Sequence, residues 1–108
     1  MSVNFQIYRD EILQDSWPLG GSDSFGDIFH IAVSQLKLNW LSDVIGRAGL
    51  YIDSKNRDEV RHEIDLLDQY VQSMGNRKEQ PFLAEVVRWM RAAMQKLLED
   101  DALTGYVG

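Results

Sequence analysis

The sequence predicts a mostly α, α+β chain: three to four helices packed around a central C-terminal helix, with a short N-terminal strand and a small sheet at most. Three observations carry that expectation. Between Pro81 and Leu98, apolar residues fill a broad arc of a wheel drawn at about 100° per residue. Phe82, Val86, Trp89, Ala93 and Leu97 lie along one side of the arc, and Leu83, Val87, Met90, Met94 and Leu98 along the other. A surface helix shows a narrower stripe, so this segment should touch several neighbours and hold them in fixed relation. Second, Val60, Ile64, Leu67, Val71 and Met74 follow helical spacing, with Asp58, Arg61, His62, Asp65, Gln69 and Gln72 opposite. Third, Val3, Phe5 and Ile7 alternate with Asn4, Gln6 and Tyr8, the period of a half-buried strand.

In chain order, residues 3–9 form that strand. A lone strand leaves its backbone unpaired, so it needs a partner. The candidates are Leu50-Tyr51-Ile52, Gly105-Tyr106-Val107 or another molecule. Asp10 to Asp23 is the least regular stretch. Ile12-Leu13 suits a helical turn, and Trp17-Pro18-Leu19-Gly20-Gly21 then breaks any helix. Trp17 either locks this loop onto the core or anchors a partner. The core role is preferred, because large aromatics are mostly buried.

Ser22 or Ser24 should cap the next helix, and Ser24 and Asp27 have capping-box spacing. That helix carries Phe25, Ile28, Phe29, Ala32, Val33 and Leu36 on one side and runs to about Lys37. Residues 38–47 keep helical spacing through Trp40, Leu41, Val44 and Ile45. They either continue the helix or follow a bend near Leu38-Asn39, with Gly46 and Gly49 around a C-cap. Leu50 to Ser54 is an extended link. Asn56 and Glu59 form a capping pair for the helix that ends at Gly75-Asn76. Pro81 suits the first position of the last helix.

The 108 residues fit a single globular domain, 1–108, with no repeat or linker to divide it. At 44% hydrophobic, the chain can build a core without metals or disulfides. The absence of cysteine removes thiolate chemistry and cysteine-ligated zinc. No apolar run approaches the roughly 20 residues that span a bilayer, and the N-terminus lacks a signal peptide's basic start. The chain reads as cytoplasmic, with no membrane partner. A net charge of −6 repels nucleic acid and favours basic partners.

Motifs for catalysis are sparse. No serine stands in a nucleophile elbow, and Gly20-Gly21 opens no phosphate loop. His30 sits among apolar residues and reads as a core-edge histidine. His62 lies on a polar helix face and lacks a second histidine at zinc-protease spacing. Segment 53–58 places Lys55 and Arg57 where a calcium loop needs oxygen. The sequence therefore predicts no enzyme, no cofactor and no metal.

Two segments, Trp17-Pro18-Leu19-Gly20-Gly21-Ser22-Asp23-Ser24-Phe25-Gly26 and Gly49-Leu50-Tyr51-Ile52, carry a resemblance. With its size, acidity and single-domain organisation, the chain resembles the small acidic immunity proteins that bacteria make against their own polymorphic or contact-dependent growth inhibition toxins. The resemblance implies tight binding to a cognate, basic toxin domain, often a nuclease, without chemistry. Acids around an aromatic anchor would serve this. The first expected toxin-binding surface is Asp10, Glu11, Asp15, Trp17, Asp23 and Asp27. The second is Asp58, His62 and Asp65. A regulatory or adaptor module that docks its helices on another protein is the alternative, and a small histidine–carboxylate enzyme comes third. Oligomeric state stays open.

Overall fold

The computed structural model describes residues 2–45 and 48–108. Its framework is a four-stranded antiparallel sheet. Strand β1 (Ser2–Arg9) pairs with β2 (Ile12–Gly21) on one side and with β4 (Leu103–Val107) on the other. Strand β3 (Leu50–Ile52) pairs with β4, giving the order β2-β1-β4-β3. Reciprocal Asn4–Gly108 backbone bonds extend the β1–β4 ladder past Val107.

Alternation decides which face is buried. Val3, Phe5 and Ile7 of β1, Leu50 and Ile52 of β3, and Leu103 and Val107 of β4 enter the core. Three helical stretches cover that face. The first, α1, spans 22–35 and is built from Ser22–Ser24, a π-helical turn Phe25–Phe29, and His30–Gln35. The second and third are α2 (Arg57–Ser73) and α3 (Gln80–Leu97). Helix α3 lies against β1, β2 and β4 while also packing on α2. Buried Gly105 allows this approach: a Cβ there would meet Leu97 at 3.5 Å and Phe5 at 3.3 Å. Phe25 closes the third side, with its ring edge-on to Phe82 at 5.6 Å. The buried residues form one apolar cluster.

The sheet overturns the expectation of a mostly α molecule with three to four helices around a central helix. Helix α3 crosses a sheet instead of filling the middle of a bundle. Two segments account for the difference. Residues 12–21, read as an irregular loop with a helical turn, are strand β2. Its pattern is weak because β2 is an edge strand, where Pro18 removes no needed ladder bond. Register shifts opposite Val3/Asn4 and Ile7/Tyr8 break its alternation further. Residues 38–45 do not form an α-helix. Leu41–Val44 make a short 3-10 turn, whereas Gly46 and Arg47 lie outside the described residues.

The stop after α1 has a clear cause. Lys37 adopts φ 56°, Leu38 N–H donates to Val33 O, and Lys37 N–H donates to Ser34 O. This is a Schellman ending with lysine where glycine is usual. Beyond it, buried Glu63 of α2 accepts the backbone N–H groups of Asn39, Trp40 and Leu41 at 3.0, 3.0 and 2.9 Å. The Trp40 indole donates to Glu59 at 2.7 Å. These two glutamates fasten the connection between α1 and β3. The expected caps differ too. Ser24 lies inside the helical stretch and makes no capping bond. Pro81, by contrast, sits in the first turn of α3.

Candidate functional site

Among the described residues, no helix covers the sheet's second face. Its outward residues follow from the register: Tyr51, Tyr106, Gln6 and Ser16 form one row, with Thr104 opposite Tyr8 alongside. A shallow depression of about 490 Å³ opens here, lined by Gln6, Tyr8, Tyr51, Thr104 and Tyr106 together with Glu11 and Asp53. No Lys, Arg or His is among its lining residues that the structure describes.

Each aromatic is held by a nameable contact. The Tyr106 hydroxyl donates to Ala48 O at 2.7 Å, and its ring lies over Gly49. A Cβ on Gly49 would stand 2.6 Å from the Tyr106 oxygen, and the φ of +86° there also suits glycine. The Tyr51 and Tyr106 rings meet at 4.8 Å between centroids, tilted by 50°. The Tyr8 hydroxyl donates to Gln6 Oε1 at 2.9 Å. Two of the three hydroxyls are thus engaged within the protein, and a visiting group meets mainly ring surface. Tyr51 is the most open of the three, at 67% exposure.

The carboxylates come from the ends of strands. Asp10 and Glu11 are the two-residue turn between β1 and β2, at φ 51° and 67°. Positive φ at both positions is the type I′ hairpin geometry, which usually recruits Asn-Gly. Asp53 follows β3. Its backbone N–H donates to the buried Asn56 side chain at 2.9 Å, and the Asn56 amide donates to Tyr51 O at 2.9 Å. Asn56 therefore fixes the two residues that bring Tyr51 and Asp53 into the depression. The expected helix-capping bond from Asn56 is absent because its side chain is used here.

The sequence-predicted binding residues are dispersed. Glu11 alone among them lines this depression. Asp15 and Trp17 lie on the helix side of β2, opposite Ile7 and Phe5. Trp17 is half-buried, edge-on to Phe5 at 6.5 Å. Asp15 accepts a bond from Lys96 at 3.1 Å, and that bond, followed by the one from Ser16 N–H, holds its pKa below the ordinary value. Asp23 lies in the first turn of α1. Asp27 borders a separate depression beside Arg77 and Lys78. Asp58 and His62 are exposed on α2, while Asp65 pairs with Arg91 at 2.7 Å.

That second surface is also close to positive charge. A groove between α2 and α3, about 560 Å³, gathers Arg61, Arg88 and Arg91 over Ile64, Met94 and Leu98. His30 is exposed instead of edging the core, and neither histidine lines any of the three depressions. No group of three potential metal ligands occurs among the described residues. No helix among them is long and apolar enough to cross a membrane.

Sequence reasoning passed over Tyr8, Tyr51 and Tyr106 as site residues. Their signal was present: all three occupy the solvent phase of strands whose other phase is apolar. Comparison with known proteins adds no assignment: no family model, curated protein or solved structure matches the chain.

Proposed function

We propose that this protein is an immunity-type binder that neutralises a basic toxin domain by docking it on the open sheet face, without catalysis. One observation carries the reading: a depression with three tyrosines and two carboxylates, and no cation among the described residues of its lining, on a chain of net charge −6. Tyrosine supplies large contact area at low entropic cost and is enriched at interface centres. Carboxylates at the margin would steer a basic partner and set its register. The arginine groove of α2 and α3 lies in the opposite layer and would repel the same partner. This shifts the docking surface from the Asp15–Trp17 region to the sheet, keeping Glu11.

The test looks for a toxin domain encoded beside this chain's gene, whose absence would count against the reading, and measures affinity for it by calorimetry and protection by co-expression. Tyr51→Ala and Glu11→Lys should each weaken binding by about 30-fold or more, the scale of an interface hot spot. Asp23→Lys and Asp58→Lys should stay within about threefold, as peripheral charges do. Equal losses in both pairs, or loss only in the second, would sink this surface.

A further inference from the structure

We propose that the sheet-face depression is a cage for one arginine side chain of the partner, with Tyr51 and Tyr106 stacking on the guanidinium and Glu11 and Asp53 pairing with it. The proposal rests on the docking reading and specifies its chemistry.

Four observations point to a guanidinium. The lining combines Tyr8, Tyr51 and Tyr106 with two carboxylates and contains no cation among the described residues. Hydroxyl bonds to Ala48 O and Gln6 Oε1 commit the Tyr106 and Tyr8 oxygens internally, leaving the negative ring faces to a ligand. One Asp53 oxygen accepts Lys55 N–H at 2.9 Å and the other is free among the described residues. The Glu11 carboxylate makes no hydrogen bond or ion pair among the described residues, though it stands on a rigid two-residue turn. Two carboxylates without a counter-cation among the described residues, beside the exposed Tyr51 ring and the half-buried Tyr106 ring, are complementary to a planar cation. A guanidinium can stack and fork to a carboxylate at once, whereas an ammonium is a compact point charge.

The depression is open, which suits a side chain presented by a protein surface better than an enclosed small molecule. Asn56 fixes the backbone on both sides of the Tyr51–Asp53 pair, and Gly49 makes room for the Tyr106 ring. The cage is thus preformed in the free protein.

The experiment follows the tyrosine ring signals of the intact protein by NMR. Three blocked tripeptides are titrated: Gly-Arg-Gly, Gly-Lys-Gly and Gly-citrulline-Gly. Citrulline keeps the shape of arginine and removes its charge. The arginine peptide should shift the Tyr51 and Tyr106 signals saturably, and Tyr51→Leu or Glu11→Gln should each weaken it by about fivefold. Both variants alter exposed residues, so folding is retained and can be checked in the same spectra. A citrulline or lysine peptide that binds as well as arginine overturns the guanidinium assignment. If no peptide shifts the rings while Tyr51→Ala still abolishes toxin binding, the cage is overturned and sheet-face docking stands. If the cage binds arginine but the toxin is indifferent to Tyr51, the cage stands and the docking reading falls.

Discussion

Glu63 offers the sharpest test of how the fold is held. The residue is 8% exposed, and its carboxylate accepts three consecutive backbone N–H groups, from Asn39, Trp40 and Leu41. Oε2 serves the first two and Oε1 serves Leu41. A hydrogen bond to a charged group contributes about 1.5–3 kcal/mol, but neighbouring bonds to one acceptor do not add in full. Asn39 is exposed and its N–H can recover water when the side chain is removed, whereas Leu41 is buried. Glu63→Ala should therefore cost about 3–4 kcal/mol, a large share of a total stability of about 5–15. Glu63→Gln is the more telling change. Its amide has one oxygen, so an NH2 group must confront at least one backbone N–H. The expected cost is about 2–3 kcal/mol despite the nearly unchanged shape. Urea titration reads this directly: the midpoint should fall by about 1–2 M at constant m. A Gln variant within about 0.5 kcal/mol of the parent would refute the reasoning, because a carboxylate satisfying three donors cannot be replaced so cheaply.

Three further outcomes follow from particular residues. Lys37→Gly should stabilise the protein by about 0.5–1 kcal/mol, since Lys37 is exposed at φ 56° and glycine relieves that conformation; an unchanged melting temperature would count against it. Gly49→Ala should cost about 1–2 kcal/mol from its positive φ, displace the Tyr106 ring and abolish its tyrosine NMR response to arginine; an unmoved ring would contradict the packing described. Asp15 should titrate below its ordinary value of 3.8 because of the Lys96 bond, and Lys96→Met should bring it back up, as followed by carboxyl NMR. With the folded pKa lowered, this pair's contribution is present above the unfolded pKa and is lost as pH falls through the folded one, so Lys96→Met should flatten the acid limb of stability.

The helices α2 and α3 were legible because each buries a continuous stripe, so periodicity and burial agree. Val60, Ile64, Leu67 and Val71 are all buried, as are Leu83, Val86, Val87, Met90, Ala93, Met94 and Leu97. Trp89, on the same apolar arc, is half-buried and packs against the core, its indole donating to Glu85 at 2.9 Å. Strand β1 was legible for the same reason as the helices, being central and one-sided. Strand β2 was not, because an edge strand with Pro18, two register shifts and an Asp-Glu turn satisfies few local rules. The tertiary roles of Arg57 and Glu63 were equally hidden. Buried Arg57 donates to the carbonyls of Leu97, Asp101 and Leu103, 40, 44 and 46 residues away, joining the start of α2 to the end of α3 and to β4. Helical position marks such residues as charged and says nothing of what they will reach. The candidate site was half legible: acidity and Glu11 were in view, whereas the tyrosines converge only once β3, β4 and β1 lie side by side.

The alternation of the sheet has a consequence for how this chain can change over generations. Phe5, Ile7, Ile52 and Val107 serve the fold, and their immediate neighbours Gln6, Tyr8, Tyr51 and Tyr106 face outward. If the proposed docking holds, folding and recognition are written in alternate letters of the same strands. Neither edge invites a rival mode of attachment: Pro18 and the bulges interrupt β2, and β3 has only three residues. The proposed partner would therefore read side chains rather than add a strand. Replacing an outward letter would retarget the surface while leaving the core that supports it untouched, so specificity could drift rapidly beneath a constant architecture.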